Sequence, residues 1–261
     1  MTLEFVVSFW FVFLLLIAGA ELLENRDHLK SAKERWPTNL ALVVISSGLA
    51  AVVPLTAFGG AEWARTNQIG LMNWIETPII LVWIISYLAL SFLDFIVHLA
   101  SHKIPLLWRF HKIHHSDHAL DVTSTFRSHP VMQTGLIGVE LLFVILLGLS
   151  PEIVLGRTVL VLFVNLSHHT TLLIPEKIDK ALRRVIMTPR LHHLHHSAHV
   201  SETDTNYGLD LVIWDQLFRT YLPESKRPKA EFKYGLDQYP ADRADDLNEL
   251  LLAPFKGKAN S

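Results

Sequence analysis

Fifteen histidines stand in a chain of 261 residues that has no cysteine. Three groups of them have helical spacing. The first is Asp94-x-x-x-His98-x-x-x-His102, whose steps of four place the side chains in one row on a helix face. The second is His111-x-x-His114-His115 and the third is His192-x-x-His195-His196. In each of these, residues i, i+3 and i+4 are expected to converge on a single point beside the helix. A metal ion requires such convergence, because imidazole nitrogens must meet at roughly 2.0–2.1 Å from it. Between the groups lie His129, within Arg127-Ser128-His129-Pro130, and the pair His168-His169. One imidazole on an apolar helix is ordinarily a hydrogen-bonded core residue. Repeated clusters are different: protonated they repel one another, and neutral but unpartnered they strand buried nitrogens. A metal answers both problems. Eight or more ligands exceed one ion's capacity, so the pattern predicts two ions. An all-nitrogen set suits Fe, Zn, Cu or Ni. Structural zinc would need only four ligands in a closed tetrahedron. A dinuclear, ligand-rich site suits oxygen activation better, and iron is the metal expected.

The elements that must hold these histidines are apolar. Half of the residues are hydrophobic and only 18% are charged. Runs 5–20, 40–61, 77–93 and 131–151 each have sixteen or more residues with at most one charge. At about 1.5 Å per residue, such lengths cross most of a hydrocarbon core of about 30 Å. A fifth run, 158–166, is too short to cross unaided and follows Gly148, Ser150 and Pro151. It reads as the returning arm of a hairpin. Four such runs do not fit one small soluble core. The fold expected is all-α: a polytopic membrane helical bundle of about four spans plus a hairpin arm, with a cytoplasmic histidine-rich helical cap. Ala18-Gly19-Ala20 looks like a signal cleavage site, but Met1 to Glu4 carries no Lys or Arg, so the first run reads as a retained span. Basic residues set the orientation. Arg26, Lys30, Lys33 and Arg35 crowd segment 21–39, Arg65 is the one basic residue of 62–76, and Lys103, Arg109, Lys112 and Arg127 lie in 98–130. The N-terminus is therefore expected outside, with the metal site and C-terminus on the cytoplasmic side. A net charge of −2 offers no attraction to nucleic acid, and the absence of cysteine excludes disulfides, iron–sulfur clusters, thiolate haem and zinc fingers.

At these residues the chain resembles the fatty acid hydroxylase/sterol desaturase superfamily of integral-membrane di-iron enzymes. The resemblance runs from Asp94 to His102 and through Leu107-Trp108-Arg109-Phe110-His111-Lys112-Ile113-His114-His115-Ser116-Asp117. It takes in Arg127-Ser128-His129-Pro130, His169 six residues before Pro175, and Thr188-Pro189-Arg190-Leu191-His192-His193-Leu194-His195-His196-Ser197. It closes with Asp204-Thr205-Asn206-Tyr207-Gly208 and the stretch Trp214 to Tyr221, covering about residues 85–222. The resemblance implies metal ligands at His98, His102, His111, His114, His115, His192, His195 and His196. It implies a further ligand at His169, and at His129 a ligand or a residue behind one. His118, His168, His193 and His199 look like local extras. Where the family often has Asn two residues after the His169 position, this chain has Thr171. The implied organisation is 1–80 as N-terminal membrane spans, 81–222 as the hydroxylase-like catalytic domain with the di-metal site, and 223–261 as a cytoplasmic tail.

The activity this implies is O₂-dependent hydroxylation or desaturation of an unactivated C–H bond in a lipid (sterol, fatty acyl or related) entering from the bilayer. Its cofactor would be two Fe ions, which Zn can replace. Asp94 and Asp117 are candidate acceptors for ligand N–H groups, the alternative being surface or capping carboxylates. Glu140, alone in an apolar span, faces either the substrate or a neighbouring helix. The chain has no G-x-G-x-x-G and no haem-attachment motif, so electrons must come from a separate electron-donor protein. Lys226, Arg227 and Lys229 read as a solvated tail rather than a docking site for that partner. Asn165-Leu166-Ser167 formally matches a glycosylation acceptor, but a position near the membrane on the cytoplasmic side rules it out. The competing reading is a non-enzymatic membrane metal-binding or metal-transport protein. Transport would place ionisable residues along several spans, and these spans are nearly bare of them. A zinc hydrolase finds no H-E-x-x-H or Ser-His-Asp arrangement to support it.

Overall fold

A computed structural model describes residues 3–24, 28–53, 56–172, 174–228, 231–236 and 239–256. Its α-helices, in chain order, are α1 (Leu3–Glu24), α2 (His28–Ala50), α3 (Ala57–Thr66), α4 (Ile79–Lys103), α5 (Pro105–His115), α6 (Pro130–Leu147) and α7 (Pro151–His169). The shorter α8 (Glu176–Leu182), α9 (Pro189–His195), α10 (Val200–Thr203), α11 (Ile213–Phe218), α12 (Ala241–Ala244) and α13 (Leu247–Leu252) follow. Among the described residues the only β-pairings are two isolated bridges, Ile186 with Leu211 and Ser197 with Tyr234. The chain is all-helical, as its apolar runs predict.

Helices α4 and α6 are long and apolar enough to cross a membrane, by length and composition. Their apolar side chains point largely outward: Ile80 is 57% exposed, Leu142 57% and Leu146 61%. A water-soluble helix would hide that stripe and show its polar face. Run 5–20 lies within the single helix α1, while two other runs differ in extent from the expectation. Run 40–61 does not make one span, because α2 ends at Ala50 and α3 begins at Ala57. The sequence places Pro54 between them, and proline disfavours helical backbone in the residue before it. Thr56 then caps α3 by accepting from the Gly59 N–H at 3.1 Å. The short run 158–166 lies inside a 19-residue helix, α7, which opens with Pro151 in its first turn. Gly148 ends α6 in the left-handed region at φ 64°, a conformation glycine reaches without a Cβ clash.

Three small cores fix the helices around the histidines. Ala61, Leu90, Val144, Leu149 and Val154 join α3, α4, α6 and α7. Leu14, Val122, Phe126 and Leu166 join α1 and α7 to the 3₁₀ turn Val122–Phe126. The third brings the chain's far end to its middle: Leu42 and Ile113 pack with Tyr239, Ala244, Leu250 and Ala253. Part of the stretch read from sequence as a tail is thus core, lying against α2 and α5. Arg127, fully buried, donates to the Ala244 carbonyl, to Asp245 at 3.1 Å and to Asn39 at 3.0 Å, tying that stretch down.

Candidate metal centre

Four helices bring histidines to one place. α5 and α9 both start on a proline in the first turn, where the missing N–H costs nothing, and both carry their histidines near the C-terminal end. α4 delivers His98 and His102 in its last two turns, and α7 ends on His169.

The side chains form two groups, each with donor nitrogens within 4.8 Å of one another: His98, His102, His111, His115 and His195 in one, and His114, His169, His192 and His196 in the other. Nine of the ten histidines expected to ligate are gathered. The H-x-x-H-H triplets do not each converge on one point, as the spacing suggested. In both, the i and i+4 residues share a group while the i+3 residue joins the other. The reason is angular: at about 100° per residue, i+4 lies about 40° to one side of i and i+3 about 60° to the other. Each triplet therefore straddles both groups.

The ring tautomers follow from carbonyl neighbours, which can only accept. Nδ1 of His98 lies 2.8 Å from the Tyr207 carbonyl, that of His195 2.8 Å from Thr205 O, that of His114 3.2 Å from Arg127 O, and that of His169 3.1 Å from Asn165 O. These Nδ1 atoms carry the proton, and Nε2 is left with its lone pair. The Nε2 atoms then face one another. The separations are 3.2 Å for His111 and His115, 3.3 Å for His114 and His169, 3.0 Å for His169 and His192, and 3.1 Å for His192 and His196. Nε2 of His102 and His195 is buried with no hydrogen-bond partner among the described residues. For His114 and His169 both Nε2 atoms carry lone pairs at 3.3 Å, an opposition that a cation would relieve. Burial, followed by neighbouring imidazoles, holds His111, His115, His192 and His196 well below the ordinary histidine pKa; for His114 and His195 burial is again the main cause. They are neutral at neutral pH, the form a metal needs.

His129 stands outside both groups. Its Nδ1 accepts from the Val131 N–H at 3.2 Å, capping α6, and its Nε2 donates to Leu251 O at 3.1 Å. His168 stacks on His192 at 4.9 Å, and Nδ1 of His193 is hydrogen-bonded to the Tyr234 hydroxyl at 2.9 Å. His118 and His199 meet the carbonyls of Tyr239 and Glu231. The carboxylates Asp94 and Asp117 do not receive ligand N–H groups, contrary to expectation. Asp94 pairs with Arg157 at 2.6 Å. Asp117 takes both oxygens to Arg35, at 3.1 and 3.0 Å, and accepts from Ser124 at 2.6 Å. Each faces a guanidinium, which outbids an imidazole N–H for a buried carboxylate.

Other groups hold the ligands. Loop 204–208 serves three ligands at once: the Tyr207 and Thr205 carbonyls as above, and Asp204, 3.4 Å from Nδ1 of His102. Asp215 fixes this loop by accepting from the N–H groups of Tyr207 and Gly208, both at 2.8 Å. A Cβ on Gly208 would lie 2.5 Å from Leu211 O, so only glycine fits there. On the other side, Thr125 sits 3.1 Å from Nδ1 of His169. Thr171, the departure from the family pattern, gives its N–H to the buried carboxylate of Glu21 at 2.7 Å. Asn165 lends its carbonyl to a ligand and lines a cavity rather than a glycosylated surface.

That cavity, of about 350 Å³, opens beside the histidines between α4, α6 and α7. His98, His111, His114, His169 and His192 form one wall, and Leu93, Val97, Ile137, Val161 and Leu162 much of the remainder.

A sequence profile described as fatty acid hydroxylase matches residues 83–220, 138 of the 261 residues. The chain is 36% identical over 135 residues to the ornithine lipid hydroxylase OlsE of Rhizobium tropici, covering 49% of this chain and 38% of the relative. It is 26% identical over 207 residues to the alkylglycerol monooxygenase of Xenopus tropicalis, covering 76% and 43%. The human alkylglycerol monooxygenase is 25% identical over 198 residues, covering 72% and 42%. The chain spans about two fifths of the length of these curated relatives. No solved structure matches.

Proposed function

The chain belongs to the fatty acid hydroxylase family, and on that premise we propose that it is a membrane enzyme using two irons and O₂ to hydroxylate an unactivated C–H bond of a lipid. The observation that carries the reading is the pair of neutral, buried imidazole groups that open on one cavity with a largely apolar wall. Relatives whose names specify hydroxylation and monooxygenation favour oxygen insertion over desaturation.

Bound irons would supply the redox chemistry that activates O₂ and breaks the C–H bond. The chain's own part is to position and to exclude. His98, His114, His169 and His195 keep their protons on Nδ1, against backbone carbonyls, so that Nε2 can ligate. Leu93, Val97, Val161 and Leu162 offer a lipid chain apolar contact and keep water from the reacting carbon. With no cysteine in the chain, reducing equivalents arrive from a separate donor protein. In the membrane arrangement we propose, α4 and α6 cross, α1 and the α2, α3 and α7 helices complete the bundle, the N-terminus lies outside, and the histidines and C-terminus face the cytoplasm. Lipid substrate enters the cavity laterally from the bilayer.

The test is O₂ uptake by the iron-loaded chain in lipid nanodiscs with a chemical reductant and a cell lipid extract, with products read by mass spectrometry. Lipid-dependent uptake and products gaining one oxygen atom are expected. Iron transport into sealed vesicles without lipid-dependent uptake would overturn the reading in favour of a transporter. Products lacking two hydrogens would replace hydroxylation by desaturation.

A further inference from the structure

The cavity is not apolar throughout: its wall also carries polar side chains that are not among the gathered histidines. Helix α6 presents Gln133, Ile137 and Glu140 to it, residues seven apart on one face. Helix α7 presents Arg157, Val161, Asn165 and His169 in steps of four. At the histidine end these faces begin beside His129 and His169. Along α7 Arg157 lies twelve residues from His169, but along α4 Asp94, which pairs with Arg157 at 2.6 Å, lies one turn, about 6 Å, from His98. The wall of the cavity one helical turn beyond His98 is therefore charged.

The guanidinium there is answered twice. Arg157 donates to Asp94 at 2.6 Å and to Asp210 at 3.0 Å, and Asp210 also accepts from Ser91 at 2.5 Å. Glu140 is not answered. It is half-buried, it lies within electrostatic reach of Asp94 and Arg157, and it has no hydrogen-bond partner among the described residues. Three carboxylates to one guanidinium leave this wall short of donors. An acid in the middle of an otherwise uncharged apolar helix is costly unless something meets it. Its position on the cavity wall says what that is: a group entering with the ligand.

We propose that Glu140, beside the Asp94–Arg157 pair, receives a hydrogen-bond-donating group of the lipid, a hydroxyl or an ammonium, and so sets which lipid is held and which of its carbons reaches the histidines. This deepens the proposed function, since it names the substrate class of the same cavity: a lipid that carries a hydrogen-bond-donating group. A plain alkyl chain leaves Glu140 unmet and is bound weakly. Specificity of this kind comes from a buried polar group that a wrong ligand leaves unpaired.

The test measures binding, not turnover, so it stands or falls apart from the oxygenase reading. The full iron-loaded chain in nanodiscs is titrated with dodecane, dodecan-1-ol and dodecylamine, and the same titrations are made with Glu140→Leu and Glu140→Gln, iron content being measured in each. In Glu140→Leu, affinity for the alcohol or the amine is expected to fall about tenfold or more, the scale of a hydrogen bond to a charged group, while dodecane binding and iron content stay as in the wild type. Glu140→Gln keeps an acceptor oxygen but no charge, so it retains the alcohol and loses the amine. The wild-type preference between those two probes identifies the donor. Should Glu140→Leu fail to fold, the alcohol–amine split in Glu140→Gln carries the test alone. Unchanged affinities for all three probes in the variants that fold would overturn the proposal.

Discussion

The two histidine groups share α5 and α9, but α4 serves only one of them and α7 only the other. The five-membered group takes two residues from α4, two from α5 and one from α9; the four-membered group takes one from α5, one from α7, and His192 and His196 from the α9 region. Their supports differ more. The larger group leans on loop 204–208, whose carbonyls and Asp204 reach three of its members. The smaller group leans on the Arg127 and Asn165 carbonyls, and Arg127 is pinned by Asn39 and Asp245. Three of the four smaller-group histidines line the cavity, but only two of the five larger-group ones. The smaller group thus has fewer imidazoles and more of its members on the cavity wall, the arrangement that the proposed function needs of a catalytic metal site.

That contrast can be broken most severely at the ligands. His114→Ala should empty the smaller group and His195→Ala should weaken the larger. Each should lower activity by more than about 100-fold, a loss beyond that of removing a supporting residue, with metal content by plasma mass spectrometry falling below the wild-type value. Full metal content in both variants would defeat the assignment. Acid is the next largest lever. The folded chain keeps His111, His114, His115, His192, His195 and His196 neutral by burial, well below the ordinary value of 6.5. The unfolded chain takes up those protons first, so stability is full above about pH 6.5 and is lost as pH falls below it. Each unit is worth about 1.4 kcal/mol per group, and the thermal midpoint of the metal-free protein should drop steadily from pH 6.5 to 5 while staying level from 7 to 8. Metal should be released over the same acid range, because protons compete for the same Nε2 atoms. A flat profile from pH 8 to 5 would contradict the buried neutral array.

A smaller change separates the two supports. Asp215→Asn keeps the shape of loop 204–208 but removes one of the two carboxylate oxygens that accept from Tyr207 and Gly208. Competition with a chelator should show one metal site weakened about 10–100-fold and the other unaltered; equal weakening of both would mean that the loop serves the groups alike. The smallest effect belongs to His129→Asn. Asparagine can still cap α6, so the loss should be about 1 kcal/mol or less in thermal unfolding, with metal content unchanged. Loss of an ion from this variant would restore His129 to the ligands.

Much of the site is legible in the sequence, because helical spacing is local. The rows on α4, α5 and α9 can be read from residue numbers, and the demand of crowded neutral imidazoles for a cation follows from their chemistry. The division into five and four is not legible from spacing alone, since it depends on how four helices meet. Nor are the partners of Asp94 and Asp117. Arg157 and Arg35 lie 63 and 82 positions away, and no local pattern joins them. The anchoring of loop 204–208 is hidden for another reason: backbone carbonyls hold the rings, and every residue has one. Composition, similarly, marks apolar runs but not their breaks. Run 40–61 is uncharged throughout, yet two helices share it, and a proline carried more information there than the hydropathy.

The central claim is that two metal ions sit side by side in unequal imidazole cages. Iron X-ray absorption with metal analysis on the chain expressed in iron-rich medium tests it most directly. Two irons per chain with a first shell dominated by imidazole nitrogen, and a metal–metal scattering feature, are expected. A well-folded chain that holds a single iron, or irons coordinated mainly by carboxylate oxygen, would contradict it.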